Sequence, residues 1–186
     1  MDIRMDELRV ENVVATGDIG TQVNFSEILD SLDLPHVLYD PDIHQGLELR
    51  FIEEGPLITI YATGKYIIRA SSVELLQQTR EDTLNLLVEI GLLNNPRDEN
   101  FEINNVVGSS SIGREIALDP LSRDLNAYET IYDPKTFPAL RCKLEEDSPT
   151  VLLYRSGKTV ITGAESVEEA EEISNEIRIR IDELLN

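Results

Sequence analysis

The chain repeats itself. Asn12-Val13-Val14 recurs as Asn105-Val106-Val107, an offset of 93 residues. Ile19-Gly20 recurs as Ile112-Gly113, Tyr39-Asp40-Pro41 as Tyr132-Asp133-Pro134, and Gly64-Lys65 as Gly157-Lys158, all at the same offset. Leu32 and Leu125, Leu47 and Leu140, Tyr61 and Tyr154, and Ile68 and Ile161 keep it as well. Val73-Glu74 then matches Val167-Glu168 at 94, so the first copy has lost one residue near Ala70-Ser71. Whatever one copy folds into, the other must fold into too. The expected division is residues 1–95 and 96–186, joined through Asn94-Asn95-Pro96-Arg97-Asp98-Glu99 and packed as one unit.

Each copy predicts the same elements. Leu8–Ala15 and Phe101–Gly108 read as apolar-rich strands. A short helix follows each. Asn24 or Ser26 is placed to cap the first at Ile28-Leu29-Leu32, and Asp119-Pro120 to open the second at Leu121–Leu125. Tyr-Asp-Pro marks a turn, and Leu47-Leu49-Phe51 alternates as a half-buried strand does. Leu57–Thr63 with Lys65–Arg69, and Thr150–Thr162 around Ser156-Gly157-Lys158, read as hairpins. A long amphipathic helix closes each copy, with Leu75, Leu76, Leu84, Leu87, Val88 and Leu92 on the apolar side of the first. Ala170, Ile173, Ile177, Ile181, Leu184 and Leu185 form that side in the second. In the second hairpin Thr150, Leu152, Tyr154, Ser156, Val160 and Thr162 share one face, and Val151, Leu153, Thr159 and Ile161 the other. Both faces are partly apolar, and only one can lie under a helix. The uncovered, hydroxyl-dotted face is either a binding surface or a dimer or sandwich interface.

Composition narrows the function. The 186 residues carry 16 Lys+Arg and 36 Asp+Glu, a net charge of −20. Such a charge argues at first against nucleic acid, because phosphates repel it. The acid excess is spread through both copies rather than held in a tail, which fits an acidic surface adapted to a salt-loving cytoplasm, where self-repulsion is screened within about 3 Å. An ordinary acidic protein is the alternative. If the salt-adapted reading holds, charge no longer excludes DNA. No stretch approaches about 18 uninterrupted apolar residues, so no membrane partner is expected, and the N-terminus lacks the features of a signal peptide. A single cysteine, Cys142, and two histidines, His36 and His44, exclude a disulfide framework and argue against a metal centre. No cofactor is expected. Cys142 falls on the helix-facing pattern and reads as a small buried hydrophobe.

The doubled pattern resembles the archaeal TATA-box-binding protein family, as a divergent paralogue. The resemblance rests on Phe101-Glu102-Ile103-Asn104-Asn105-Val106-Val107-Gly108-Ser109, on Tyr132-Asp133-Pro134-Lys135-Thr136-Phe137-Pro138-Ala139-Leu140, and on Leu152–Ala164 in the second copy. Val10–Thr16 and the Gly64-Lys65 turn carry it in the first. It covers about residues 8 to 185. It implies an α+β fold: a pseudo-two-fold saddle made of one curved antiparallel sheet of about ten strands, with four helices on the convex face. The family is itself the standing example of minor-groove binding by apolar wedges and of readout through DNA deformability.

What the resemblance implies for residues follows position by position. Asn12 and Asn105 would hydrogen-bond base edges at the centre of the site. Val14, Leu57, Ile67, Val107, Leu152, Val160 and Thr162 would floor the groove. Phe137, with Pro138 beside it, and Tyr154 would pry base steps apart in the second copy, and Tyr61 and His44 in the first. Arg50, Lys65, Lys143 and Lys158 would touch phosphates, which position but do not specify. Asp133, Lys135 and Thr136 would lie where transcription factor B docks.

The first copy departs from the pattern more than the second. His44 stands where a Phe wedge is usual, and Tyr61 and Tyr154 add hydroxyls. Arg69 replaces the threonine kept as Thr162, Thr59 replaces the leucine kept as Leu152, and Gln45 replaces a small residue. Ile43, Ser71 and Glu165 stand where bases are common, and Lys135 where an acid is usual. Arg69 is either a new DNA contact or the partner of a surface acid. Tyr61 and Tyr154 could equally be cross-strand packing residues, and Phe137 plain core.

Three functions compete. One is an initiation factor, without enzymatic activity and cytoplasmic on the nucleoid, that binds and bends double-stranded A·T-rich promoter DNA and recruits transcription factor B and, through it, RNA polymerase. Another is a paralogue with weakened or altered DNA binding that acts through protein contacts. The third is a DNA-glycosylase domain, disfavoured because no catalytic Asp/Lys helix-hairpin-helix module follows. A DNA-free homodimer stays open.

Overall fold

The computed structural model describes residues 7–185. Its strands and helices fall into two compact units. One is Asn12–Asn104; the other runs from Asn105 and includes the stretch up to Glu11.

In the first unit, β1 (Arg9–Asp18) is followed by α1 (Phe25–Ile28) and a 3-10 turn at Leu29–Ser31. Strands β2 (His36–Leu38), β3 (Gly46–Arg50), β4 (Leu57–Tyr61) and β5 (Lys65–Ala70) come next, and α2 (Val73–Glu89) closes the unit. The strands pair antiparallel in the order β2-β3-β4-β5-β1. The second unit repeats the plan with β6 (Glu99–Ser111), α3 (Leu118–Asp124), β7 (Glu129–Ile131), β8 (Ala139–Lys143), β9 (Thr150–Tyr154), β10 (Lys158–Ala164) and α4 (Val167–Leu185). Its order is β6-β10-β9-β8-β7.

One face of each sheet is core. Ile58, Ile60 and Ile68 in the first unit, and Val151, Leu153 and Ile161 in the second, are fully buried. The two long helices cover them, α2 on β5 and α4 on β10. The alternate residues remain at least partly exposed, as the period of two requires, except Thr59 in β4, which is buried. The hairpin faces are therefore divided as the sequence predicts. Gly64 and Gly157 turn the hairpins at φ +93° and +86°. A Cβ at either would run into a carbonyl oxygen, of Thr21 and Arg114 respectively, so only glycine fits.

Several expectations need correction. Asn24 takes the N-cap position, but its amide donates to the Glu27 carboxylate at 2.7 Å instead of capping the backbone. Helix α3 opens on Ala117 and places Asp119-Pro120 inside its first turn, where proline costs no hydrogen bond. Strands β1 and β6 run further than expected, and Phe51 lies just past β3. Leu92 lies beyond α2, which ends at Glu89; its amide caps back onto the Leu87 carbonyl at 2.9 Å. Leu75 is exposed in the first turn of α2, and Leu184 and Leu185 are exposed because the buried stripe of α4 stops at Ile181 and no described residue covers its last turn.

The units differ most in their buried polar groups. In the first, Asp98 accepts from Arg80 Nε at 2.9 Å and also from the buried Tyr66 hydroxyl. The Arg80 guanidinium lies 4.1 Å above the Phe101 ring. Burial opposes ionisation of Asp98, yet the hydrogen bonds from Arg80 and Tyr66 hold its carboxyl below the usual range. Burial, reinforced by Asp98, pushes the Tyr66 phenol up. At the matching positions the second unit has Thr159 for Tyr66 and Ser174 for Arg80. Ser174 and Ser110 share a 3.1 Å hydroxyl bond, while the buried Thr159 Oγ1 has no hydrogen-bond partner among the described residues. Leaving such a donor unmade costs roughly 1–3 kcal/mol. Thr159→Val is therefore expected to stabilise the fold by about 1 kcal/mol, a melting rise of roughly 2–4 °C in a chain of this size. A lower melting temperature would show that the hydroxyl is satisfied. Cys142 is fully buried, and desolvation pushes its thiol up to about 12, so it is a packing residue.

Candidate nucleic-acid interface

The uncovered face of the first unit is built in rows by strand register. Glu48, Thr59, Ile67 and Thr16 face one another across β3, β4, β5 and β1, and Leu57, Arg69 and Val14 form the next row. Asn12 lies one further step along β1. In the second unit the rows are Arg141, Leu152, Val160 and Ser109, then Lys143, Thr150, Thr162 and Val107, with Asn105 one step along β6. Within each unit the expected face residues thus share one side. Arg141 and Glu48 also stand on it, though the sequence reading did not single them out. Strand alternation alone could have found them.

The wedge candidates sit at one end of each face. His44, on the turn before β3, lies 6.0 Å from the Tyr61 ring centroid at 55°. Phe137, on the turn before β8, lies 6.5 Å from Tyr154 at 61°. These are the same two positions in both copies. Phe137 is 41 % exposed and so is not core. Pro138 follows it, also exposed. His44 Nδ1 accepts from Gly46 N at 3.0 Å, which fixes the ring against the strand. The two turns are built alike. The Asp40 and Asp133 carbonyls each accept two later amides, and their carboxylates take one amide each. Asp133 also accepts from Thr136 Oγ1 at 2.7 Å, and these bonds hold its carboxyl below the usual range. Lys135 is exposed on this turn, next to Phe137 rather than on the strand face.

The cations divide into two kinds. Arg50 donates to the Gly55 carbonyl, and Lys143 Nζ to the Glu146 carbonyl at 3.2 Å, so both are tied to their own loops at matched positions. Lys65 and Lys158 are exposed at the hairpin turns. At strand positions of the open faces stand Arg50, Lys65, Arg69, Arg141, Lys143 and Lys158 against Asp18, Glu48 and Glu129, while Glu11 accepts from Ser109 Oγ at 2.6 Å and Glu102 lines the groove beside Tyr61 and Lys65. The −20 charge of the chain is not carried there. A groove of about 660 Å³ opens beside Tyr61, Lys65 and Ile67.

Asn12 and Asn105 are held differently. Asn105 Oδ1 accepts from Gly163 N at 3.1 Å. Gly163 is a bulge at φ +88°, where the β10–β6 register slips between Thr162 and Ala164. The β5–β1 ladder runs through without a bulge, pairing Arg69 with Val14 and Ala70 with Val13. The residue that the first copy lacks is the bulge, and Asn12 lacks the amide that pins Asn105. Arg69 does not pair with a carboxylate among the described residues; its Nη1 donates to Thr59 Oγ1 at 3.3 Å.

A twice-repeated antiparallel unit, helix-covered on one face, with aromatic pairs, asparagines and cations on the other, is the class of an open-faced DNA-binding protein. The family model described as transcription factor TFIID, or TATA-binding protein, matches residues 7–90 and again 100–184. The chain belongs to this family. It is 34 % identical over 179 residues to TATA-box-binding protein C of Halobacterium salinarum, covering 96 % of this chain and 99 % of that one. The TATA-box-binding protein of Thermococcus celer is also 34 % identical, over 88 % of this chain and 85 % of its own. In structure it resembles Methanococcus jannaschii TBP with a TM-score of 0.82 at 29 % identity, over 96 % of this chain and 99 % of that one. This likeness bears out the fold class read from the sequence. Membership sets the chain among transcription factors rather than enzymes, and further haloarchaeal relatives accompany it. Among the described residues no helix is long and apolar enough to cross a membrane.

Proposed function

We propose that the protein is a transcription initiation factor that binds A·T-rich promoter DNA through the minor groove, bends it, and recruits transcription factor B and with it RNA polymerase. The observation that carries this is the open face repeated in each unit: an apolar floor, a donor-bearing asparagine and an aromatic pair. Asn12 and Asn105 would supply donors to the A N3 and T O2 acceptors. Val14, Ile67, Val107, Val160, Leu57, Leu152 and Thr162 would lie against the sugars and bases. Phe137 with Tyr154, and His44 with Tyr61, would enter base steps. Arg50, Lys65, Lys143 and Lys158 would set the register on phosphates. Affinity resting on apolar burial suits high salt, where the counterion contribution shrinks.

Asp133, Lys135 and Thr136 form the exposed turn on which transcription factor B would dock. Lys135 and Glu48 favour a second reading, a paralogue whose protein contacts matter more than its grip on DNA. A gel shift on an A·T-rich duplex, with and without transcription factor B, separates the two. Binding strengthened by the factor supports initiation. Weak binding with no response to the factor supports the second reading.

A further inference from the structure

The departures from internal symmetry in the first unit converge on one spot. Thr59 stands where the second copy has Leu152, Arg69 where it has Thr162, and the bulge beside Asn105 has no counterpart beside Asn12. In register Thr59 faces Ile67, so Arg69 is its diagonal neighbour, within reach of a long side chain. Thr59 is 1 % exposed, and its hydroxyl accepts the Arg69 guanidinium. Glu48, the carboxylate facing Thr59 in β3, turns instead to His36 Nε2 at 3.8 Å. Arg69 is thus held at one nitrogen, while its remaining donors stay exposed on the open face. In the second unit Leu152 offers no acceptor, and threonine at 162 has no reach.

Resting on the DNA-binding reading above, we propose that Arg69, positioned by Thr59, is the specificity-determining donor of the first half, in place of a bulge-pinned asparagine. The two halves then read their half-sites by different chemistry. Asn105, its oxygen occupied by Gly163, offers amide donors to a single base edge. Asn12 is not pinned in this way and can turn either its donor or its acceptor to the groove. Arg69 brings only donors and a full charge. It demands an acceptor-lined, electronegative groove, as A·T tracts provide. A G·C pair beneath it sets the guanine N2 amino donor against the guanidinium.

The test is a binding scan on an A·T-rich duplex in which each pair is replaced in turn by G·C or by inosine·C, which lacks the amino group. The wild type should lose about tenfold more affinity at one or two positions of a single half-site than at their mirror positions, and inosine·C should restore it. Arg69→Thr should erase that asymmetry. Thr59→Val should reduce it, and Thr59→Ser should keep it, which a merely structural role for Thr59 would not do. Mirror-equal penalties in the wild type, or a uniform loss on every duplex in Arg69→Thr with a salt slope smaller by about one (a phosphate contact), would overturn the proposal. Failure of every duplex to bind would instead contradict the DNA-binding reading on which it rests.

Discussion

Arg80→Ala is expected to destabilise the fold by about 3–5 kcal/mol, the cost of removing one partner from a buried ion pair. Thermal unfolding should show it as a melting temperature roughly 10 °C lower. The direction of the asymmetry is part of the prediction. Asp98 is 2 % exposed and Arg80 is 30 % exposed. Removing Arg80 strands a carboxylate that water cannot reach, while Asp98→Ala leaves a guanidinium that is partly wet and still stacked on Phe101. Arg80→Ala should therefore cost more than Asp98→Ala, although the latter also orphans the Tyr66 hydroxyl. Because the folded carboxyl is held below its ordinary value, the contribution of Asp98 is complete at neutral pH. It should fade only as pH drops below the ordinary carboxylate range of about 4. The advantage over Asp98→Asn should narrow there. Equal costs for the two deletions, or an advantage that vanishes above pH 5, would contradict this arrangement.

Phe137→Ala is the second large effect, and it falls on function rather than stability. The ring is 41 % exposed and edge-on to Tyr154, so its loss leaves no cavity in the core. An exposed aromatic anchor that enters a base step should be worth about 2–4 kcal/mol of binding, roughly 30- to 1,000-fold in affinity. Bending should fall with it, since the wedge pries the step open. His44→Ala should cost less, because imidazole is smaller and more polar than the phenyl ring. A Phe137→Ala protein that melts normally but binds and bends A·T-rich DNA unchanged would remove this residue from the interface.

Much of the architecture was legible because the sequence states it twice. The offset of 93 located both hairpins and the division of faces, since period-two burial needs only one covered side to be decided, and the shift to 94 aligned both long helices. The strands β2 and β7 escaped, because three residues carry too little alternation to register. The caps of α1 and α3 escaped because several side chains near each start could serve. The Arg80–Asp98–Tyr66 cluster gave no motif at all. The signal for it was where the repeat fails at buried positions, with Tyr66 against Thr159 and Arg80 against Ser174. The same holds at the interface. The lost residue near Ala70 and the Thr59 and Arg69 substitutions were visible singly, but only strand register showed that Thr59 and Arg69 touch and that the lost residue is the bulge beside Asn105.

In the proposed function this acidic chain grips and bends A·T-rich DNA through open faces that carry about as many basic as acidic side chains. The most direct measurement is end-to-end distance by energy transfer on a doubly labelled A·T-rich duplex, titrated with protein from low salt to about 2 M KCl, where the screening length is below about 3 Å. A shortened duplex that persists at high salt, absent on a G·C-rich control, is the predicted result. A folded protein that leaves the duplex straight at every salt concentration would contradict it.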